Sequence, residues 1–145
     1  MTRYPDTRTI RTEYAGATDD IRRVRDEVFI REQSVPPELE FDDRDDACRH
    51  VVAYRDDLPV ATGRIDLERE GKIGRVAVVS TERRRGIGRL VMAELENVAR
   101  EAGLARVTLH AQVTAAAFYE RLGYAAQGDE FEEAGIPHVA MHKDL

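Results

Sequence analysis

Apolar and polar residues alternate from Thr7 to Tyr14, which predicts a first strand. The period then lengthens: Ile21, Val24, Val28 and the adjacent Phe29 recur at helical spacing to about Gln33. Thr18, followed by Asp19 and Asp20, supplies an N-cap region for this helix, and Pro36 and Pro37 end it. Two strand-like runs, His50 to Tyr54 and Val60 to Leu67, flank Asp56-Asp57-Leu58-Pro59, a hairpin turn by composition. Glu70-Gly71-Lys72 makes a second turn into the apolar run Ile73 to Val79. Leu90, Val91, Ala93, Leu95, Val98 and Ala99 then mark a long amphipathic helix, stopped by Gly103. A strand from Arg106 to Ala111 and a helix from about Ala115 to Leu122 follow, the helix ending at Gly123. Two last strands, Tyr124 to Gln127 and Val139 to Lys143, complete the chain.

The order β α β β β α β α β β, with hairpins at both ends and crossover helices between, predicts an α+β fold rather than a doubly wound nucleotide fold. Residues 1–145 hold no repeat, linker or low-complexity tract, so a single domain is expected. With 42% apolar and 34% charged residues the composition is that of a soluble globular protein. No apolar run nears the ~20 residues of a membrane span. Arg3, Asp6, Arg8 and Arg11 break up the start of the chain where a signal peptide would need an apolar core, so a cytoplasmic location and no membrane contact are expected. Cys48 is the only cysteine, which excludes an internal disulfide and a cysteine zinc site and reads as a small core residue. No metal-ligand spacing such as His-Glu-x-x-His occurs, so no metal is expected. The net charge of -6 argues against nucleic-acid binding, which needs a basic face. The acidic segment from Glu38 to Asp46 is either a solvated loop or a substrate-facing loop that attracts cations.

Against this acidic background the run Arg83-Arg84-Arg85-Gly86-Ile87-Gly88 stands out. It lies between an apolar strand and an amphipathic helix, its glycines expose main-chain N–H groups, and the first N–H groups of the helix have no intrahelical partner. Such a turn binds anions, with the helix macrodipole adding to the arginine charge.

The pattern Arg83-x-x-Gly86-x-Gly88 resembles the acyl-CoA pyrophosphate loop of the GNAT superfamily of N-acetyltransferases. Ala115-Ala116-Ala117-Phe118-Tyr119-Glu120-Arg121-Leu122-Gly123-Tyr124 resembles that superfamily's second motif, an alanine-containing helix with a Phe-Tyr pair that ends at glycine before an aromatic residue. The resemblance implies a GNAT fold across essentially the whole chain: a mixed, mostly antiparallel sheet of about seven strands flanked by helices. A bulge would splay the Val76-Ala77-Val78 strand from the strand Arg106 to Ala111 and leave a slot for the cofactor. It further implies an acetyl-CoA-dependent N-acetyltransferase in which acetyl-CoA is the acetyl donor and the acceptor is a primary amine, attacked directly in a ternary complex. Cofactor contacts would fall on Val76, Ala77, Val78, Arg83, Arg84, Arg85, Gly86, Ile87, Gly88 and Arg89, and on Gln112, Ala116, Phe118 and Tyr119.

Val28-Phe29-Ile30-Arg31-Glu32-Gln33-Ser34-Val35-Pro36 and the ending Gly135-Ile136-Pro137-His138 through Lys143 resemble a group of small microbial GNAT proteins. Glyphosate N-acetyltransferases share a similar ending, whose histidine corresponds to His138 and acts as catalytic base. Two of their phosphonate-binding arginines align with Ile30 and Gln112 here, and a third with Arg75. A phosphonate acceptor is therefore not expected.

Chemically, Tyr119 suits a general acid, because its reference pKa of about 10 keeps it protonated, and His138 suits a base, near 6.5. Phe118 also has a packing role open to it, and Gln112 an ordinary strand-end role. Glu32 is the alternative base or amine anchor. Glu32 and the acidic segment suit an amine, Arg75 suits a carboxylate, and an amino-acid-like small metabolite satisfies both. Acetylation of a protein N-terminus or lysine, and a non-catalytic CoA-binding module, are the competing functions. Pairing at a sheet edge or through the C-terminal strand would make a homodimer.

Overall fold

A computed structural model describes residues 7–145; Arg3 and Asp6, which entered the reading of the chain's start, lie outside the described residues. Among the described residues seven strands form one sheet in the order β1-β2-β3-β4-β5-β7-β6. They are β1 (Thr7–Glu13), β2 (Arg49–Arg55), β3 (Leu58–Asp66), β4 (Lys72–Val78), β5 (Arg106–Gln112), β6 (Ala125–Glu133) and β7 (Ile136–Asp144). Only β4 and β5 run parallel. The helices are α1 (Thr18–Arg25), α2 (Pro37–Glu40), α3 (Ile87–Glu101) and α4 (Ala116–Arg121).

The central strands β2 and β3 are buried on both faces, which accounts for their near-continuous apolar character. Val52 and Tyr54 pack with Ile21 of α1. Gly63, paired with Val51, faces the other way, and a Cβ there would lie 2.9 Å from Leu95 and 3.0 Å from Val91 of α3. The two helices therefore cover opposite faces. Beyond β4 the arrangement changes: Val107, Leu109, Ala111, Val139 and Met141 are in the core, whereas the alternate positions His110, Gln112 and His138 share the other face. That second face lies past the end of α1 and carries the site.

Three local features differ from the sequence expectation. The hairpin turn is Asp56-Asp57 alone, both with positive φ of 50° and 67°, and Leu58 and Pro59 already belong to β3. Two left-handed residues match the right-handed strand twist, as in a type I′ turn. The closing hairpin is longer than expected, with β6 reaching Glu133 and β7 starting at Ile136. Its exposed outer strand lacks the apolar pattern that marks a strand. Finally, α1 continues as a π-helix over Asp26–Glu32. The buried positions 21, 24, 25, 28 and 29 keep α-helical spacing, so periodicity carries no sign of the widening.

The acidic segment is divided: Glu38, Asp43 and Asp46 are exposed, whereas Glu40 and Asp45 are buried and, with Asp42, are held by arginines. Arg25, wholly buried, binds Glu40 Oε2 and Asp45 Oδ1, each at 2.7 Å, and the Glu40 carbonyl at 2.8 Å. Arg64 binds Asp42 and Asp45 at 2.8 Å. Cys48 is buried too, and burial pushes its thiol up to about 11, which suits a core residue.

Candidate active site

The site begins at a fault in the sheet. Between Thr62↔Ala77 and Arg64↔Gly74, two residues of β4, Arg75 and Val76, oppose the single Gly63 of β3. Arg75 adopts a left-handed φ of 52° to make this bulge. Past the bulge β4 leaves β5, which it pairs only at Lys72↔Thr108 and Ile73↔Leu109. A slot opens between them. Val79 N–H donates to the Val60 carbonyl at 2.9 Å, so by strand alternation Val78 turns its own N–H and C=O toward the slot.

At the mouth of the slot lies the glycine turn. Arg84 and Gly86 both have positive φ, 64° and 85°, and Gly86 caps α3. The first main-chain bond into the helix runs from Leu90 N–H to the Gly86 carbonyl. Among the described residues, the N–H groups of Arg84, Arg85, Gly86, Ile87, Gly88 and Arg89 donate to no main-chain or side-chain acceptor. A run of unpaired donors at a helix N-terminus is an anion cradle. The arginines divide. Arg83 directs Nε to the Val78 carbonyl at 2.8 Å and closes both guanidinium nitrogens on Glu32 at 2.6 Å. Arg84 and Arg89 line the cavity with no ion pair among the described residues, and Arg85 lies outside its lining.

The cavity, about 1080 Å³, joins slot, turn and polar sheet face. Val76, Ala77, Val78, Gly86, Ile87, Gly88, Gln112, Phe118, Tyr119 and His138 line it, and Ala116 does not. Gly88 is needed by its neighbours: a Cβ there would sit 3.1 Å from Phe118 Cζ. Phe118 in turn meets Tyr119 edge-on at 5.0 Å, so the turn and α4 are packed as one unit.

Tyr119 is 9% exposed, and among the described residues its hydroxyl has no hydrogen-bond partner. Burial pushes the phenol up to about 12. It is therefore a protonated donor at the cavity wall. Tyr124, 5.9 Å away, is fixed by its bond to Glu96 at 2.8 Å, which holds the aromatic group against α3.

His138 is 7% exposed and sits across from Gln112 in the β5–β7 ladder. Its Nδ1 lies 2.7 Å from the Ile136 carbonyl. A carbonyl only accepts, so Nδ1 carries the hydrogen, and in the neutral ring Nε2 presents its lone pair. The Ile136 carbonyl thus selects the tautomer that a base requires. Gln112 Nε2 donates to Gln33 Oε1 at 2.8 Å, tying the end of the π-helix to β5.

Of the two substrate candidates Arg75 lines the cavity and Glu32 does not, and both are already engaged. The Arg83 guanidinium holds the Glu32 carboxyl below its usual range, against the opposing effect of burial. Arg75 reaches the Glu40 and Leu39 carbonyls at 3.1 and 3.3 Å and Asp42 at 3.3 Å. Two further residues line the cavity, Glu133, which no sequence feature singled out, and His110, a histidine ranked below His138 as a base. Their Oε1 and Nδ1 are 3.0 Å apart, and Glu133 Oε2 lies 3.8 Å from His138 Nε2. Neither belongs to a motif, and β6 has no apolar periodicity to place Glu133.

A parallel pair splayed by a bulge, with a donor-rich turn at its mouth, defines an acyl-CoA N-acyltransferase fold. The chain belongs to the GNAT acetyltransferases: a model described as "Acetyltransferase (GNAT) domain" matches residues 13–145. The uncharacterized N-acetyltransferase YjcF of Bacillus subtilis is 40% identical over 123 residues, covering 83% of this chain and 88% of YjcF. The crystal structure of an acyl-CoA N-acyltransferase from Pseudomonas aeruginosa superposes with a TM-score of 0.82 at 29% identity, over 94% of this chain and 99% of that one. A Bacillus anthracis protein crystallised in complex with acetyl coenzyme A shares the fold, at TM-score 0.60 and 16% identity over 68% of this chain and 63% of its own. The chain is an acetyl-CoA-dependent acyltransferase of this family.

Proposed function

We propose that the protein transfers the acetyl group of acetyl-CoA to a primary amine of a small metabolite, by direct attack within a ternary complex. The observation that carries this reading is the convergence of three groups on one cavity: the unpaired N–H run at 84–89, the unpartnered Tyr119 hydroxyl and the open Nε2 of His138. The N–H run suits the pyrophosphate of the donor, with Arg84 and Arg89 adding charge. The slot edge at Val78 suits the pantetheine arm, received as an added strand, and an N–H there would polarise the thioester carbonyl.

In the transfer a C–N bond forms and the C–S bond breaks. The amine must shed a proton, which His138 Nε2 accepts directly or through water. The leaving thiolate takes a proton, which Tyr119 donates. No enzyme-bound acetyl group is required, since Cys48 is buried away from the cavity lining.

Thiol release from acetyl-CoA, followed over a broad panel of small primary amines, tests the reading. At least one amine should accelerate release, and His138→Ala and Tyr119→Phe should each lower that rate. Tight CoA binding with no acceleration by any amine would instead favour a non-catalytic CoA-binding module. Acceleration only by peptides would favour acetylation of protein N-termini or lysines.

A further inference from the structure

The lone pair of His138 Nε2 faces the Glu133 carboxylate oxygen at 3.8 Å. Both are acceptors while the imidazole is neutral, and among the described residues nothing donates between them. Two acceptors at that spacing suit a donor with more than one hydrogen. An ammonium group does so, because two of its N–H bonds, each about 2.9 Å from nitrogen to acceptor, can reach both atoms. Glu133 is fixed for this purpose from its other oxygen, which is 3.0 Å from His110 Nδ1. Phe131 forms the apolar wall behind the pair, edge-on to His110 at 5.0 Å and stacked with His138 at 6.0 Å.

The cations around this end of the cavity are mostly committed. Arg44 is held by Asp66 at 2.8 Å, Arg64 by Asp42 and Asp45 at 2.8 Å, and Arg75 by Glu40 and Asp42 at 3.3 Å. Arg69 reaches Asp66 only at 3.8 Å, with 60% of its side chain in solvent. Lys72 differs. It lines the cavity partly buried, beside Thr108 one rung before the last paired one, and among the described residues it has no ion pair or hydrogen bond. It is near enough to Glu133 to act on that carboxylate through space. A spare cation beside a spare carboxylate makes a site of two signs.

Resting on the acetyltransferase reading above, we infer that the acceptor is a zwitterion, whose ammonium group sits between Glu133 and His138 and whose anionic group sits at Lys72. Glu133 then anchors the amine until His138 takes its proton, and Lys72 selects for a carboxylate or similar anion. This assignment leaves Glu32 with Arg83 and Arg75 with the acidic segment.

The test uses the full chain loaded with CoA and matched probes: β-alanine, 4-aminobutyrate, 6-aminohexanoate and L-leucine, each beside its decarboxylated amine. Binding is read from the backbone amide resonances of Glu133 and His138, independently of turnover, and acetylation is read in parallel with acetyl-CoA. At least one zwitterion should bind about tenfold or more tightly than its decarboxylated partner, the range expected for a hydrogen bond to a charged group. Lys72→Met should erase that preference. Glu133→Gln should raise the KM for amine about tenfold or more and leave the KM for acetyl-CoA unchanged. Equal or better binding by the decarboxylated amines would overturn the inference, as would an unaltered amine KM in Glu133→Gln. Zwitterion binding without acetylation would uphold this site and sink the catalytic reading; acetylation of amines regardless of Lys72 and Glu133 would do the reverse.

Discussion

At the scale of single residues, environment rather than identity assigns the roles. The four histidines differ little on paper, yet their partners separate them. His50 is buried with Nε2 2.9 Å from the Asp45 carbonyl, and burial lowers its pKa, whereas His138 has Nδ1 satisfied and Nε2 open to a cavity. Tyr119→Phe removes a hydroxyl that holds nothing together, so stability should change little. Its kcat should fall by about 10²–10⁴, the usual contribution of a positioned acid, with little change in the KM for acetyl-CoA. Steady-state kinetics and a urea titration of the same variant check both halves. Arg25 is the opposite case, a wholly buried charge at a position of the apolar stripe of α1. Arg25→Met leaves Glu40 and Asp45 short of their nearest cation and should cost about 3–5 kcal/mol of unfolding free energy. Urea unfolding measures it, and the Arg25→Met, Glu40→Gln double variant should recover part of the loss, because one stranded carboxylate is gone.

Among elements, the turn from β4 into α3 was legible because its chemistry is local. Glycines, a preceding apolar strand and a following amphipathic run all lie within one stretch of sequence, and the free N–H groups follow from them. Tyr119 and His138 were legible through motifs. What sequence did not carry were the features decided between distant segments. The π-helix keeps α-helical spacing at its buried positions, yet it sets Glu32 on Arg83 and Gln33 on Gln112. The acidic segment looked exposed because its counter-ions, Arg25, Arg64 and Arg75, come from three other elements. Glu133 lies on an exposed edge strand and gains a role only when β6 pairs β7, placing Phe131 opposite His138. One contact joins the legible and illegible parts: Gly88 against Phe118. Gly88→Val should push the Phe118 ring and α4 away from the turn, and CoA should bind at least about tenfold more weakly, a loss near 1.4 kcal/mol. Isothermal titration with CoA reads the effect. Gly88→Ala paired with Phe118→Leu should restore most of the affinity, because a smaller partner relieves the 3.1 Å approach.

For the whole molecule, charge pairing makes stability depend on pH from both sides. Arg64 holds the Asp42 carboxyl far below the usual carboxylate range, and Arg44 lowers Asp66. Their contributions are complete above the unfolded carboxylate pKa near 4 and vanish as pH falls through the lower folded values. Glu40 runs the other way, since burial raises it despite Arg25 and Arg75, so it opposes folding near neutrality and relaxes as acid neutralises it. At the alkaline end the signs agree. Burial pushes Tyr119 up to about 12, and burial with the Asp20 carboxylate does the same for Tyr54. In the unfolded chain both phenols ionise near 10, so the unfolded state loses protons first and stability falls between about pH 10 and 12. Thermal unfolding followed across that window should show a steep decline in Tm. Tyr124 is raised as well, by burial and the Glu96 carboxylate, so Tyr119→Phe removes one of three buried phenols and should flatten the slope while leaving the midpoint at pH 8 nearly unchanged. An unaltered alkaline slope would mean that the Tyr119 hydroxyl reaches water, which would remove the basis for treating it as a donor that stays protonated throughout the working range of the enzyme.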